Sequence, residues 1–226
     1  MKISRPLRAM VERLNEIPDN ELHVHHRHLA AHATRLTAAV ESLEKLIATP
    51  DPTETSAKHT QRVAEASRKL EARVSEIRDK IHDDARAGAE TLTRRAEERA
   101  GLTESPYAAE VRAAVRSMAP KARDKALVQA MEDGDGATIA TLTNAPAIAS
   151  GLDAKHLTEV RERFVEKHAP QESEALADLM QTFGTVTGIA SQVASAARAA
   201  TDPAAIREIE RAQEDAQKAR EAFDSA

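Results

Sequence analysis

Apolar residues recur along this chain at alternating intervals of four and three residues, which is the spacing of one face of an α-helix. From residue 22 to residue 47 the pattern runs without a break, and every second position in it is leucine. We therefore predict a long helix with a heptad seam. The seam consists of Leu22, His26, Leu29, Ala33, Leu36, Val40, Leu43 and Ile47.

A second long helix is predicted after the proline-containing connector that follows. Pro50 and Pro52 end the first helix, because proline lacks a backbone donor and pushes the preceding residue toward extended geometry. The simplest arrangement is an antiparallel, coiled-coil-like hairpin of residues 19–48 against residues 54–100. Since the first helix is shorter, apolar positions between residues 63 and 92 are expected to stay exposed for a partner. The same rhythm continues there through Val63, Ser67, Leu70, Val74, Ile77 and Ile81.

The rest of the chain shows helix start and stop signals and no strand pattern. Gly101 is a stop signal for the long helix, and Pro106 opens the next one. We expect an all-α fold in three segments: an N-terminal helical hairpin region at 1–101, a small helical domain at 102–170, and long C-terminal helices at 171–226.

Composition limits what such a fold can do. Hydrophobic residues make up 41% of the chain, but aromatic residues make up only 2% and tryptophan is absent. Because aromatic side chains bury the largest areas, a core without them is thin and suits closely spaced helices better than a globule with a wide pocket. The sequence thus favours bundles and coiled coils.

Charge and cysteine content exclude several classes of function. The formal net charge is −5 with both signs interspersed, which gives no strong signal for nucleic-acid binding. The absence of cysteine excludes disulfides, thiolate nucleophiles and cysteine-based metal sites. The first residues lack the apolar run of a signal peptide, so we do not expect secretion by that route. None of the HExxH, GxSxG, GxGxxG or P-loop motifs occurs.

Five of the nine histidines lie between residues 23 and 32. His25, His28 and His32 share one helical face, and the last two have the spacing at which two imidazoles bind one metal ion. The heptad phase instead places His26 inside the seam, where a polar residue fixes register. We favour this structural role and expect no metal or other cofactor. A third hypothesis is pH-sensitive association, since charging a buried His26 would weaken packing below about pH 6.5.

The uncharged segment 179–197 contains Gly184 and Gly188 in GxxxG spacing. Its glutamines, serines and threonines make it too polar to insert readily into a bilayer, so we expect no constitutive membrane span. Small residues at this spacing also let two helices approach closely in water. The preferred interpretation is a buried, tightly packed helix interface, and the alternative is membrane contact in a special state.

The sequence MEDGDGAT, residues 131–138, has two aspartates in the spacing of a calcium loop. The position of the invariant glycine holds Thr138, and Asn144 replaces the carboxylate at the twelfth position. We therefore predict a turn between two helices.

Residues 105–180 resemble uncharacterised helical proteins encoded among bacteriophage and prophage head genes. The matching features, in order, are SPYAAEVRAAVRSM, ALVQAMEDGDGATIATLTNAPAIASGL and RFVEKHAPQESEAL. The resemblance implies a non-enzymatic role in the virion or its assembly, in the head or neck. It also implies a location in the virion, or in the host cytoplasm during assembly.

We expect the chain to act through helix-mediated contacts with copies of itself, as a homo-oligomer, or with capsid, portal or scaffold proteins. The alternative is an amphipathic helical coat on a granule or membrane, similar to phasins. A regulator or enzyme built on the histidines is a further alternative. The residues expected to carry the contacts are Leu22, His26, Leu29, Leu36, Val40, Leu70, Val74, Ile77, Ile81, Gly184 and Gly188.

Overall fold

The computed structural model describes residues 3–225. About 83% of the chain is helical, and the described residues contain no strand, which confirms the all-α class. A short 3-10 turn at Glu21–His23 precedes the second helix. The α-helices are α1 (Ser4–Leu14), α2 (Val24–Ala48), α3 (Ser56–Arg99), α4 (Ala108–Ser117), α5 (Pro120–Asp133), α6 (Gly136–Thr143), α7 (Ala147–Ser150), α8 (Ala154–His168), α9 (Pro170–Ala199) and α10 (Pro203–Asp224).

The helices form two compact units. The terminal unit comprises the described parts of residues 1–85 and 180–226, and the central unit comprises Arg86–Leu179. Both boundaries fall inside long helices, α3 and α9. The predicted segments, in contrast, begin and end at the connectors between helices.

The core of the terminal unit contains the predicted seam positions of α2 from His26 to Leu43 and those of α3. A helix that carries apolar residues every three or four positions gains stability by burying that face, at about 25 cal/mol per Å² of apolar surface. The inner face of α9 and the first turn of α10 contribute further apolar side chains to this unit. The main buried side chains are Leu29, Leu36, Val40, Leu43, Val63, Leu70, Val74, Ile77, Ile81, Val186, Ile189, Val193 and Ile206.

The first helix packs antiparallel against α2, a pairing that the sequence analysis did not predict. Glu44 of α2 receives hydrogen bonds from the backbone N–H groups of Ile3 and Ser4, at 2.6 and 3.2 Å, and from Ser4 Oγ at 2.6 Å. One turn further along, Arg8 donates to Glu41 at 2.6 Å. The helix begins at Ser4, and its N-terminal donors are satisfied by a carboxylate from another helix rather than by a local cap.

The central unit has a hydrophobic core of its own. The short helices α6 and α7 lie within the uncharged segment around residues 137–152, and α8 buries the apolar stripe predicted from its spacing. Phe164 of α8 is the largest fully buried side chain in the described range. The buried members of this core are Ala100, Val115, Leu127, Ala130, Ile139, Leu142, Leu152, Leu157, Val160 and Phe164.

A glycine–aspartate turn joins α5 to α6, as predicted for this segment. Gly134 has φ +69°, a left-handed conformation that suits glycine at the end of a helix. The side chain of Asp135 accepts a hydrogen bond from the Thr138 N–H at 3.0 Å and so caps α6. A Cβ on Gly136 would lie 2.5 Å from the carbonyl oxygen of Gly101, so glycine permits this close approach of backbones.

Candidate interaction surfaces

The histidines around the start of α2 form two separate ring pairs rather than one cluster. His26 is fully buried, as the heptad phase predicts, and its ring centroid lies 4.8 Å from that of His23. The rings of His25 and His28 meet edge to face at 5.9 Å, with His25 half-buried and His28 exposed. The expected loss of packing at acidic pH stays a prediction.

His32 takes part in a different contact, between α2 and α3. Its Nε2 lies 2.8 Å from Oδ2 of Asp84, and the histidine side chain is buried whereas the aspartate is half-buried. Across residues 3–225, no three or more histidine, aspartate or glutamate side chains are arranged to hold a metal ion. The structure therefore does not bring His25, His28 and His32 into one coordination group. In the sequence, this contact coincides with the place where the four-and-three apolar spacing of α3 ends, after Ile81.

Most of the seam side chains are buried. Ile47 is an exception at 42% exposure, because it lies in the last turn of α2, so its predicted place in the seam is wrong. All of the predicted contact residues from Leu29 to Val40 and from Leu70 to Ile81 are buried, and Leu22 is half-buried. Leu92 is buried as well. The prediction that apolar positions between residues 63 and 92 stay exposed is therefore wrong. One reason is visible beside the end of this stretch, where the ring of Phe183 in α9 packs edge to face on His82 at 5.1 Å.

Gly184 and Gly188 lie on the exposed face of α9. A Cβ added to either glycine would meet no atom within 4 Å. The prediction that another helix of this chain packs closely on these glycines is therefore wrong. Because successive residues of a helix are rotated by about 100°, both glycines lie on the side of α9 opposite its buried face. That face carries Val186, Ile189, Ala190, Val193 and Ala197. Contact of the glycines with a partner stays a prediction.

Several large apolar side chains of the central unit are exposed, and the sequence analysis did not single them out. Ile148 of α7 is 82% exposed, Tyr107 is 68% exposed and Val128 of α5 is 50% exposed. Ile148 belongs to the uncharged segment around residues 137–152. A helix of one turn buries only part of its circumference, so one of its apolar residues faces outward.

A shallow cavity of about 540 Å³ lies beside this surface, between α5 and the start of α8. Arg123 lines it and donates to three backbone carbonyl oxygens, those of Arg116, Met118 and Gly151, at 2.6 to 3.0 Å. Val128 and His156 also line it. Because Arg123 satisfies the ends of neighbouring helices, its charge serves the fold of the central unit.

A second cavity, of about 460 Å³, lies between α3 and α10 in the terminal unit. Its lining is charged, and Glu54 forms ion pairs with Arg62 at 3.2 Å and with Lys58 at 3.9 Å. Ile206 of α10 supplies the buried apolar residue at this edge. Three of the charged residues on the cavity wall are thus paired with one another.

Within the described range, no helix is both long and apolar enough to cross a membrane, and the uncharged part of α9 is included in that finding. Comparison with protein families, with curated proteins and with solved structures finds no match to this chain.

Proposed function

We propose that this chain is a non-enzymatic structural or assembly protein of a bacteriophage particle, associated with the head or neck. It acts through helix-mediated contacts with copies of itself or with capsid, portal or scaffold proteins. The sequence resemblance of residues 105–180 supplies the phage context.

The observation that supports the proposal best is the combination of an independent core and exposed apolar side chains in the central unit. Residues 86–179 contain almost all of the resembling segment and bury their own cluster around Phe164. Exposed apolar side chains of the same unit are Ile148 on α7, Val128 on α5 and Tyr107 just before α4. Side chains of this size stabilise an interface by about 1.5–3 kcal/mol each when fully buried.

The proposal includes a coiled-coil-like hairpin of α2 and α3. The buried seam residues of both helices and the contact between His32 and Asp84 support this pairing. Such a hairpin is a stiff element, because side chains that interdigitate along two helices resist bending. A stiff helical surface of this kind suits protein–protein contacts in a particle.

The test uses phage particles produced in the native host and separated on a density gradient. We expect the wild-type protein in the fractions that hold DNA-filled heads. The variant Val128→Asp with Ile148→Asp should be depleted from those fractions by about ten-fold or more, because a charge that enters an apolar interface is costly. The control is Lys155→Asp, which changes a well-exposed polar position of the same unit.

Three outcomes contradict the proposal. The first is absence of the wild-type protein from all particle fractions. The second is incorporation of the variant with two apolar replacements as well as wild type, and the third is partition of the purified protein onto lipid droplets or granules. The last result would favour the phasin-like coat. Circular dichroism of each variant verifies that the central unit is folded before incorporation is compared.

A further inference from the structure

The helix α10 is almost entirely exposed. It runs from Pro203 to Asp224, which is about 33 Å at 1.5 Å per residue. Ile206 is its one buried residue, and every residue from 210 to 225 is exposed, including Phe223 at 83%. Most of the stability of a helix in a protein comes from packing of its apolar face, so an exposed helix gains from a partner.

One side of α10 already has a neighbour within the terminal unit. The side-chain amides of Gln61 and Gln213 exchange two hydrogen bonds, at 2.8 and 3.2 Å. One cavity is lined by α3 residues between Lys58 and Arg68 and by Ile206 and Glu210 of α10. The face of α10 that meets α3 is therefore the one around positions 206, 210 and 213.

A different face of α10 carries an apolar heptad pattern. Its positions follow intervals of four and three and hold no polar residue, with Ile209 and Phe223 as the large members. At about 100° per residue, this face lies roughly 100° around the helix from the one that meets α3. Two neighbours at 8–10 Å from α10 would then be about 14 Å from each other, which leaves room for both. The face consists of Ala205, Ile209, Ala212, Ala216, Ala219 and Phe223.

The charges beside this face indicate which occupant fits. With Ile209, Ala216 and Phe223 at a positions, Asp215 is at g and Arg220 is at e. In a parallel pair of identical helices, g of one helix meets the following e of the other, so Asp215 faces Arg220 of the second copy on both sides. In an antiparallel pair g meets g, and the acidic residues at this position would repel one another. Within its own chain, Asp215 approaches Lys218 only at 4.0 Å.

We propose that the exposed apolar face of α10 pairs with the same face of a second copy of this chain, as a parallel two-stranded coil. This inference rests on the proposed function, because it names one partner of the assembly protein and the surface that binds it. Stable interfaces bury about 800 Å² on each partner, and the face from 209 to 223 is smaller than that. Pairing is thus concentration-dependent, and it strengthens where other contacts of the particle bring copies together.

The chain contains no cysteine, which makes disulfide trapping a clean test. Ala219→Cys places one thiol at a d position, where parallel helices bring identical residues within the distance that a disulfide needs. Glu221→Cys is the control, because position 221 is equally exposed but faces away from the apolar stripe. Under mild oxidation of the full-length protein, Ala219→Cys should form covalent dimers about ten-fold faster than Glu221→Cys.

Charge variants test the orientation in the Ala219→Cys background. Asp215→Lys should reduce the rate of cross-linking several-fold, and addition of Arg220→Asp should restore it, because the pair is then reversed rather than removed. Equal rates at positions 219 and 221, or a double charge variant that cross-links no better than the single one, would overturn the inference.

The result is separable from the proposed function. Absence of dimers together with wild-type protein in phage particles would reject the α10 pairing and keep the particle role. Dimers together with absence from particles would reject the particle role and keep the pairing.

Discussion

Glu44 shows how one carboxylate joins two helices. Burial by itself raises the pKa of Glu44, but hydrogen bonds from the Ser4 hydroxyl and from the N–H groups of Ile3 and Ser4 together outweigh it. The pKa of Glu44 therefore lies below its ordinary value. The carboxylate also lies at the N-terminus of α1, where the helix dipole favours negative charge.

Replacing Glu44 by glutamine keeps the shape and removes the charge. We expect Glu44→Gln to lower the free energy of unfolding by about 1 kcal/mol at pH 7, because charge-assisted hydrogen bonds become neutral ones. Glu41→Gln is the control, and it should change stability little, since its partner Arg8 is exposed. Urea unfolding followed by circular dichroism measures both. Equal effects of the two substitutions would contradict the special role of Glu44.

The effect of Glu44 should depend on pH in a defined direction. A carboxylate whose pKa is lower in the folded than in the unfolded state stabilises the fold fully above its unfolded pKa, about 4.3. That stabilisation is lost as the pH falls through the lower, folded pKa. The stability difference between wild type and Glu44→Gln should thus be constant near neutral pH and shrink below about pH 4. A difference that stays unchanged down to pH 3 would contradict the lowered pKa.

We expect alanine at Gly188 and alanine at Gly136 to have opposite effects on stability, because the surroundings of the two glycines differ. Gly188→Ala should stabilise the protein by about 0.5–1 kcal/mol, because the position is exposed, helical and free of contacts. Gly136→Ala should destabilise the central unit, since the new Cβ would overlap the Gly101 carbonyl oxygen. Thermal unfolding of both variants checks this pair of predictions. Destabilisation by Gly188→Ala would show that the glycine face packs closely after all.

At the scale of elements, helices were predictable where local signals mark their ends. The structure confirms the helix end before Pro50 and Pro52 and the turn at Gly134. The pairing of α1 with α2 was not predictable, because Glu44 acts across about forty residues of sequence and has no local signature. The glycines of α9 were misassigned because both faces of that helix are uncharged, so charge does not mark the side that faces solvent.

The seam of α2 gives the sharpest test at this scale. Leu29→Asp combined with Leu36→Asp should abolish cooperative unfolding, because two charges in fully buried positions cost several kcal/mol each. The matched control is Ala38→Asp combined with Ser42→Asp, which changes two exposed positions of the same helix. Circular dichroism melting and sedimentation measure the outcome. Wild-type melting and oligomer size in the seam variant would reject the seam assignment.

At the scale of the whole molecule, the sequence pattern identified an all-α architecture but not the surfaces that remain exposed. Heptad spacing indicates which residues pack against another helix, but it does not show whether that helix belongs to the same chain or to another. The seam of α3 was expected to stay partly open and is buried, whereas Ile148 lies in an uncharged segment and is exposed. Exposure depends on how several helices pack together, and no single helix encodes it.

The central claim is that this chain is a component of a phage particle. The most direct test is quantitative mass spectrometry of gradient-purified particles from the native host, with the major capsid protein as internal standard. We expect a number of copies of this chain per head that stays constant through further purification steps. A level that falls with each step, or a complete absence of the chain, would contradict it.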